Sequence, residues 1–211
     1  MCMYVGVQAQ TDGEYSDLQK ALKEPLKVKK LNISRQEITS LPKEINKMKN
    51  LQELNVTMNK LTKLPKELAE CTKLSMLFCG FNQITEIPKE LATLKLKWFS
   101  CEKNQITVLP KELSAWTELT NFECSYNKIT VLPKEYKSWK AMNSFQSQGN
   151  AISIIPIEYA VWTKLQSFRV THSIKNPSFM INWDSYKAFE KKVSDNAENQ
   201  YARPVVQGDN L

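Results

Sequence analysis

Large apolar side chains recur in this sequence beside charged ones, in a pattern suited to non-covalent recognition. Met58, Met76, Phe78, Phe81, Trp98 and Tyr126 lie close to Glu53, Glu102, Lys103 and Glu123. Their spacing is regular: Glu53, Met76 and Trp98 follow one another after 23 and 22 residues, and Met58, Phe81, Lys103 and Tyr126 after 23, 22 and 23. Aromatic and methionine anchors rimmed by charge have the composition of a binding hot spot. Such rings also serve a purely structural end when they pack on one another across a sheet.

Bond-making chemistry has little to work with. His172 is the single histidine and has no placed nucleophile or carboxylate beside it, so no catalytic role is assigned and no enzyme is expected. The five cysteines, Cys2, Cys71, Cys79, Cys101 and Cys124, contain no C-x-x-C pair, which argues against a metal site. Glu53, Glu102 and Glu123 spread over three repeats without forming a cation loop, and no cofactor is expected. Asn32-Ile33-Ser34 and Asn55-Val56-Thr57 match the glycosylation acceptor pattern, and sugars there would obstruct the same surface.

Composition narrows the partner. The chain has 211 residues, 42% hydrophobic, with a formal charge of +7, which raises the question of nucleic acid. Position answers it, because Lys43, Lys66, Lys89, Lys111 and Lys134 each precede a glutamate, Glu44, Glu67, Glu90, Glu112 and Glu135. A ridge of alternating charge is a solvated face and not a phosphate track. No nucleic-acid partner is expected, and a protein partner is. No stretch approaches the roughly 18 apolar residues that span a bilayer.

These side chains are positioned by a repeat. Asn59, Asn82, Asn104, Asn127 and Asn150 are 22 or 23 residues apart, and Pro42, Pro65, Pro88, Pro110, Pro133 and Pro156 keep the same step. Within a unit, Leu54 and Val56 alternate with Glu53, Asn55 and Thr57, which predicts a short strand with the first pair inward. The asparagine predicts a ladder of side-chain hydrogen bonds to backbone groups of neighbouring units. Proline in L-P-K-E-L forbids continuation of the strand and favours a turn or 3₁₀ segment on the return path. Cys79, Cys101 and Cys124 fall in an inward column, about 4.8 Å apart on parallel strands, too far for a disulfide and suited to small core residues.

One unit cannot bury its own apolar edge, so units must stack and the end units need covers. The expected fold is an α/β leucine-rich-repeat solenoid: a horseshoe arc with a parallel concave sheet, a convex side of turns and short 3₁₀ segments, and helical caps at both ends. Ser16 to Leu22 reads as an amphipathic helix stopped by Pro25, and Trp183, Tyr186, Phe189 and Val193 fall at helical spacing. The boundaries read from this pattern are a single domain over 14–198, with an N-terminal cap at 14–27, repeats at 28–179 and a C-terminal cap helix at 180–198. Residues 199–211 form a tail. Residues 1–13 read either as a flexible N-terminus or as a signal-peptide remnant ending near Val7-Gln8-Ala9-Gln10. A monomer is expected.

Leu41-Pro42-Lys43-Glu44-Ile45, Asn50-Leu51-Gln52-Glu53-Leu54-Asn55-Val56 and Tyr15-Ser16-Asp17-Leu18-Gln19-Lys20-Ala21-Leu22 closely resemble segments of the leptospiral family of 23-residue leucine-rich-repeat proteins, over roughly residues 14–170. The resemblance implies a secreted or surface-displayed protein of a pathogenic spirochaete that engages host proteins, such as cadherins or matrix components. The sequence departs from the family pattern at Cys79, Cys101 and Cys124, at Ser173, and in the aromatic residues of its outward columns. The L-P-x-x-I/L phrase also resembles Ras-group leucine-rich-repeat proteins, which implies an intracellular signalling scaffold in the cytoplasm as the alternative.

Overall fold

The computed structural model describes residues 12–170. The expected C-terminal cap helix, the tail, the first eleven residues, His172 and Ser173 lie outside these.

Eight strands form one sheet, all parallel and in sequence order: β1 (Glu14–Tyr15), β2 (Lys30–Asn32), β3 (Glu53–Asn55), β4 (Met76–Phe78), β5 (Trp98–Ser100), β6 (Asn121–Glu123), β7 (Ser144–Gln146) and β8 (Ser167–Arg169). Register follows the repeat, so Leu31, Leu54, Leu77, Phe99, Phe122, Phe145 and Phe168 stand side by side. All seven are buried, as are Val56, Cys79, Cys101 and Cys124 two residues further along their coils. The predicted alternation therefore describes the inner face. This is a leucine-rich-repeat solenoid.

Each return path is a five-residue 3₁₀ turn that starts immediately after the repeat proline, as at Lys43–Lys47, Lys66–Glu70 and Lys111–Ala115. Proline fixes the backbone at the turn entrance, and its carbonyl accepts the first turn bond, from Ile45 N to Pro42 O at 3.2 Å in the first coil. The turn sends one side chain inward (Ile45, Leu68, Leu91, Leu113, Tyr136, Tyr159), and the residue that closes it sends a second (Met48, Cys71, Leu94, Trp116, Trp139, Trp162).

The asparagine ladder is present. Asn104 Nδ2 donates to the carbonyls of Cys101 in its own coil and Cys79 in the preceding one, both at 3.0 Å, while its Oδ1 accepts from Ile84 N at 2.9 Å. Asn59, Asn82, Asn127 and Asn150 bridge coils in the same way. Each satisfies backbone groups that a tight, dry turn would otherwise leave bare.

The N-terminal cover is a helix, α1 (Leu18–Lys23), whose N-cap Asp17 accepts from Lys20 N at 2.9 Å. It starts two residues later and ends one residue later than the Ser16 to Leu22 segment read from the sequence, because Asp17 caps it. The cap also supplies a strand that the sequence pattern does not announce: β1 pairs with β2 and buries Tyr15, extending the sheet past the first repeat.

Candidate functional site

The outward positions of β3 to β6 and the turns leaving them carry all ten candidate residues, and the structure sorts nine of these into two groups, with Glu102 between them just past the end of β5. On the strands, register sets Glu53 beside Met76, and Met76 beside Trp98. Phe78 meets Trp98 edge to face, ring centroids 5.5 Å apart at 69°. Trp98 nevertheless remains 43% exposed, while Met76 and Phe78 are half-buried. The rings thus support one another and still present surface to solvent.

The second group occupies the turn just before each ladder asparagine. Met58, Phe81, Lys103 and Tyr126 all adopt left-handed backbone, with φ of 57°, 55°, 50° and 56°. Arg35 holds the same place one coil earlier (φ 58°), and Gly149 one coil later (φ 64°). Large L-residues resist this region because Cβ crowds the following carbonyl, at a cost of about 1–2 kcal/mol. Four bulky side chains are therefore held where glycine fits most easily. Their location carries meaning: Lys103 Nζ lies 4.7 Å from the Phe81 ring centroid and 5.6 Å from that of Tyr126, a cation shared by two aromatic faces. The Tyr126 ring in turn covers Gly149, where a Cβ would collide with it.

Between these rings and the next strands opens a recess of about 260 Å³, lined by Phe81, Glu102, Lys103, Glu123, Tyr126 and Gln148 among others. Ser100 Oγ donates to the Glu102 carboxylate, which lies over Gly80 so closely that a Cβ at position 80 would strike it. Glu123 accepts from Ser125 N at 3.1 Å, the same local bond that Asn55 makes with Thr57 N at 3.0 Å. Burial pushes the Glu123 carboxyl above its ordinary range and the charge of Glu102 adds to this, while the Ser125 bonds and Arg169 pull the other way. Among the described residues, no three His, Cys, Asp or Glu side chains converge as metal ligands.

The thiols among the described residues are core. Cys71, Cys79, Cys101 and Cys124 are buried and free. Burial pushes the Cys71 thiol up to about 11 and raises the other three further, so all four stay protonated at neutral pH.

Sequence reasoning missed two features. One is the left-handed column, for which Gly149 at the equivalent position was the available signal. The other is a stripe on the return path, four residues after the ladder asparagine, where Val108, Val131 and Ile154 are 68%, 70% and 49% exposed. The earlier coils place Lys63 and Glu86 there, which hid the column's apolar character.

Comparisons with known proteins agree with this architecture. A family model described as leucine rich repeat matches residues 27–84. No curated protein matches with significance. An internalin from Listeria monocytogenes superposes with a TM-score of 0.66 at 28% identity, over 78% of this chain and 47% of its own. A leucine-rich-repeat protein of Leptospira interrogans gives 0.53 at 22% identity, over 82% and 62%. The plant peptide hormone receptor RGFR1, in complex with RGF2, gives 0.62 at 27%, over 75% and 27%. The chain thus spans less than two thirds of the length of each of these structures. Among the described residues no helix is long and apolar enough to cross a membrane.

Proposed function

We propose that this leucine-rich-repeat solenoid is a non-catalytic protein-binding module, a secreted or surface-displayed bacterial adhesin that engages a host cell-surface protein, such as a cadherin or a matrix component, through its concave face. The observation that carries the reading is Trp98: an indole left 43% exposed on a strand whose inward neighbour, Phe99, is completely buried. Burying such a ring against a partner removes apolar area worth on the order of 25 cal/mol per Å². With Met76 and Phe78 beside it and charge at its rim, Trp98 has the setting of an anchor residue. The internalin likeness supports a bacterial module, and the plant peptide hormone receptor supports a solenoid that receives a polypeptide.

The test compares purified wild-type protein with a Phe78→Ser/Trp98→Ser double variant, both verified as folded by circular dichroism, on a panel of immobilised host ectodomains that includes cadherins. Saturable wild-type binding that the variant loses is the expected result. Equal binding by both moves the site off this face. Absence of binding to every ectodomain removes the adhesin reading.

A further inference from the structure

Resting on the reading of the concave face as the docking surface, we infer that its partner presents a basic side chain, arginine or lysine, to the recess flanked by Glu102 and Glu123, with an apolar neighbour set against Met76, Phe78 and Trp98. Charge complementarity carries this. The whole chain has a formal charge of +7, yet the outward positions of β3 to β6 and the turns leaving them hold three carboxylates, Glu53, Glu102 and Glu123, against one cation, Lys103. Across these four strands the face is inverted in sign, although cations flank them: Lys30 of β2 acts on Glu53 and Arg169 of β8 on Glu123.

Lys103 is already occupied, its ammonium lying on the rings of Phe81 and Tyr126. Neither Glu102 nor Glu123 forms a salt bridge among the described residues. Their hydrogen bonds come from neutral donors, Ser100 Oγ and Ser125 N. Half-burying ionised carboxylates with only neutral donors is costly, and a guanidinium or ammonium brought by a partner would offset that cost, whereas an acidic group would add a like charge. The walls suit the same guest: Tyr126 is 56% exposed beside the carboxylates, and the ring surface that Lys103 and Gly149 leave open can pack the stem of a basic side chain while its N–H groups reach a carboxylate. Trp98 and Glu123 stand on adjacent strands and on the same face, two residues out of register because Glu123 pairs with Ser100, so one short loop or strand of the partner reaches both.

A displayed library of random twelve-residue peptides, selected on the full chain in low salt, tests this without presupposing any one partner. Captured peptides are re-assayed on Phe78→Ser/Trp98→Ser and on Glu102→Gln/Glu123→Gln, the latter keeping side-chain shape and the acceptor for Ser125 N. The expected result is enrichment of arginine or lysine next to an apolar residue. Capture should be lost on the first variant and weakened about tenfold or more on the second, with the wild-type signal falling at high salt. Peptides that need Phe78 and Trp98 but carry no basic residue, or that bind the glutamine variant unchanged, overturn the inference and leave the concave-face reading standing. Selection that yields nothing dependent on Phe78 and Trp98 overturns both.

Discussion

The first coils and the last coils share one backbone and differ in what fills it. From β2 to β4 the inward columns are aliphatic: Leu31, Leu54 and Leu77 on the strands, Ile45 and Leu68 in the turns, Met48 and Cys71 closing them. From β5 onward the same columns hold Phe99, Phe122, Phe145 and Phe168, then Tyr136 and Tyr159, then Trp116, Trp139 and Trp162. The three indoles stack with centroids 6.5 and 6.3 Å apart and planes within 15°. Each also donates Nε1–H to a carbonyl of the preceding coil, Leu91, Leu113 and Tyr136 in turn, at 2.8 to 3.1 Å. Tyr136 and Tyr159 do likewise to Pro110 and Pro133, both at 2.9 Å. Aliphatic coils are joined by burial, the sheet, the asparagine ladder and one weak thiol bond, from Cys71 Sγ to Ile45 O at 3.3 Å. Aromatic coils add ring stacking, about 0.5–1.5 kcal/mol per pair, and polar tips that tie coil to coil.

The sharpest probe of that difference is one column, two positions. Trp139→Ala removes three stacked neighbours, Trp116, Tyr136 and Trp162, and the bond to Leu113 O, and should cost about 3–5 kcal/mol in urea unfolding. Cys71→Ala, the aliphatic-half equivalent, should cost roughly 1 kcal/mol, because little volume is lost. Equal costs would show that the aromatic half is no more tightly joined. The ladder should be indifferent to the contrast: Asn104→Ala and Asn59→Ala should each lose about 2–3 kcal/mol by stranding buried backbone groups, and a large disparity between them would break the idea that the ladder is uniform.

Smaller effects sharpen the comparison at the ends of columns. Ser147 takes the inward place held by Cys79, Cys101 and Cys124, and its buried hydroxyl finds no hydrogen-bond partner among the described residues. Ser147→Cys should therefore raise stability by about 1 kcal/mol, read as a shift in the unfolding midpoint. Met58→Gly should gain up to about 1 kcal/mol by relieving left-handed strain. Smallest is a pH effect. Because the folded state raises the Glu123 carboxyl above its unfolded value near 4.5, the folded protein holds the extra proton, and this group's contribution to stability declines as pH climbs from 4.5 through the raised value. Glu123→Gln should then be slightly more stable than wild type at pH 7, with the gap closing toward pH 4 in thermal melts.

The repeat was legible because its cause is local: leucine alternation, proline and asparagine each dictate a backbone event within a few residues. The ladder and the inward cysteines followed directly from position in the unit. The strand β1 was not legible, since Glu14 and Tyr15 pair only because α1 turns the chain back against β2, a tertiary fact. The ten candidate positions were readable as outward, but their division into a strand group and a left-handed turn group depends on φ, which Met, Phe, Lys and Tyr do not signal. The recess was equally hidden. Glu102 reaching back across Gly80 is a contact between coils that spacing alone does not reveal.

The stacked indoles also give the molecule two optical channels, once Trp183, which lies outside the described residues, is replaced by phenylalanine. Trp116, Trp139 and Trp162 are shielded from water and close enough to pass excitation among themselves, so their blue-shifted emission reports whether the later coils remain stacked. Trp98 stands apart on the concave face and emits further to the red. Binding and unfolding thus write to different parts of one spectrum, and a ligand that quenches the red component while leaving the blue untouched has been located without a label.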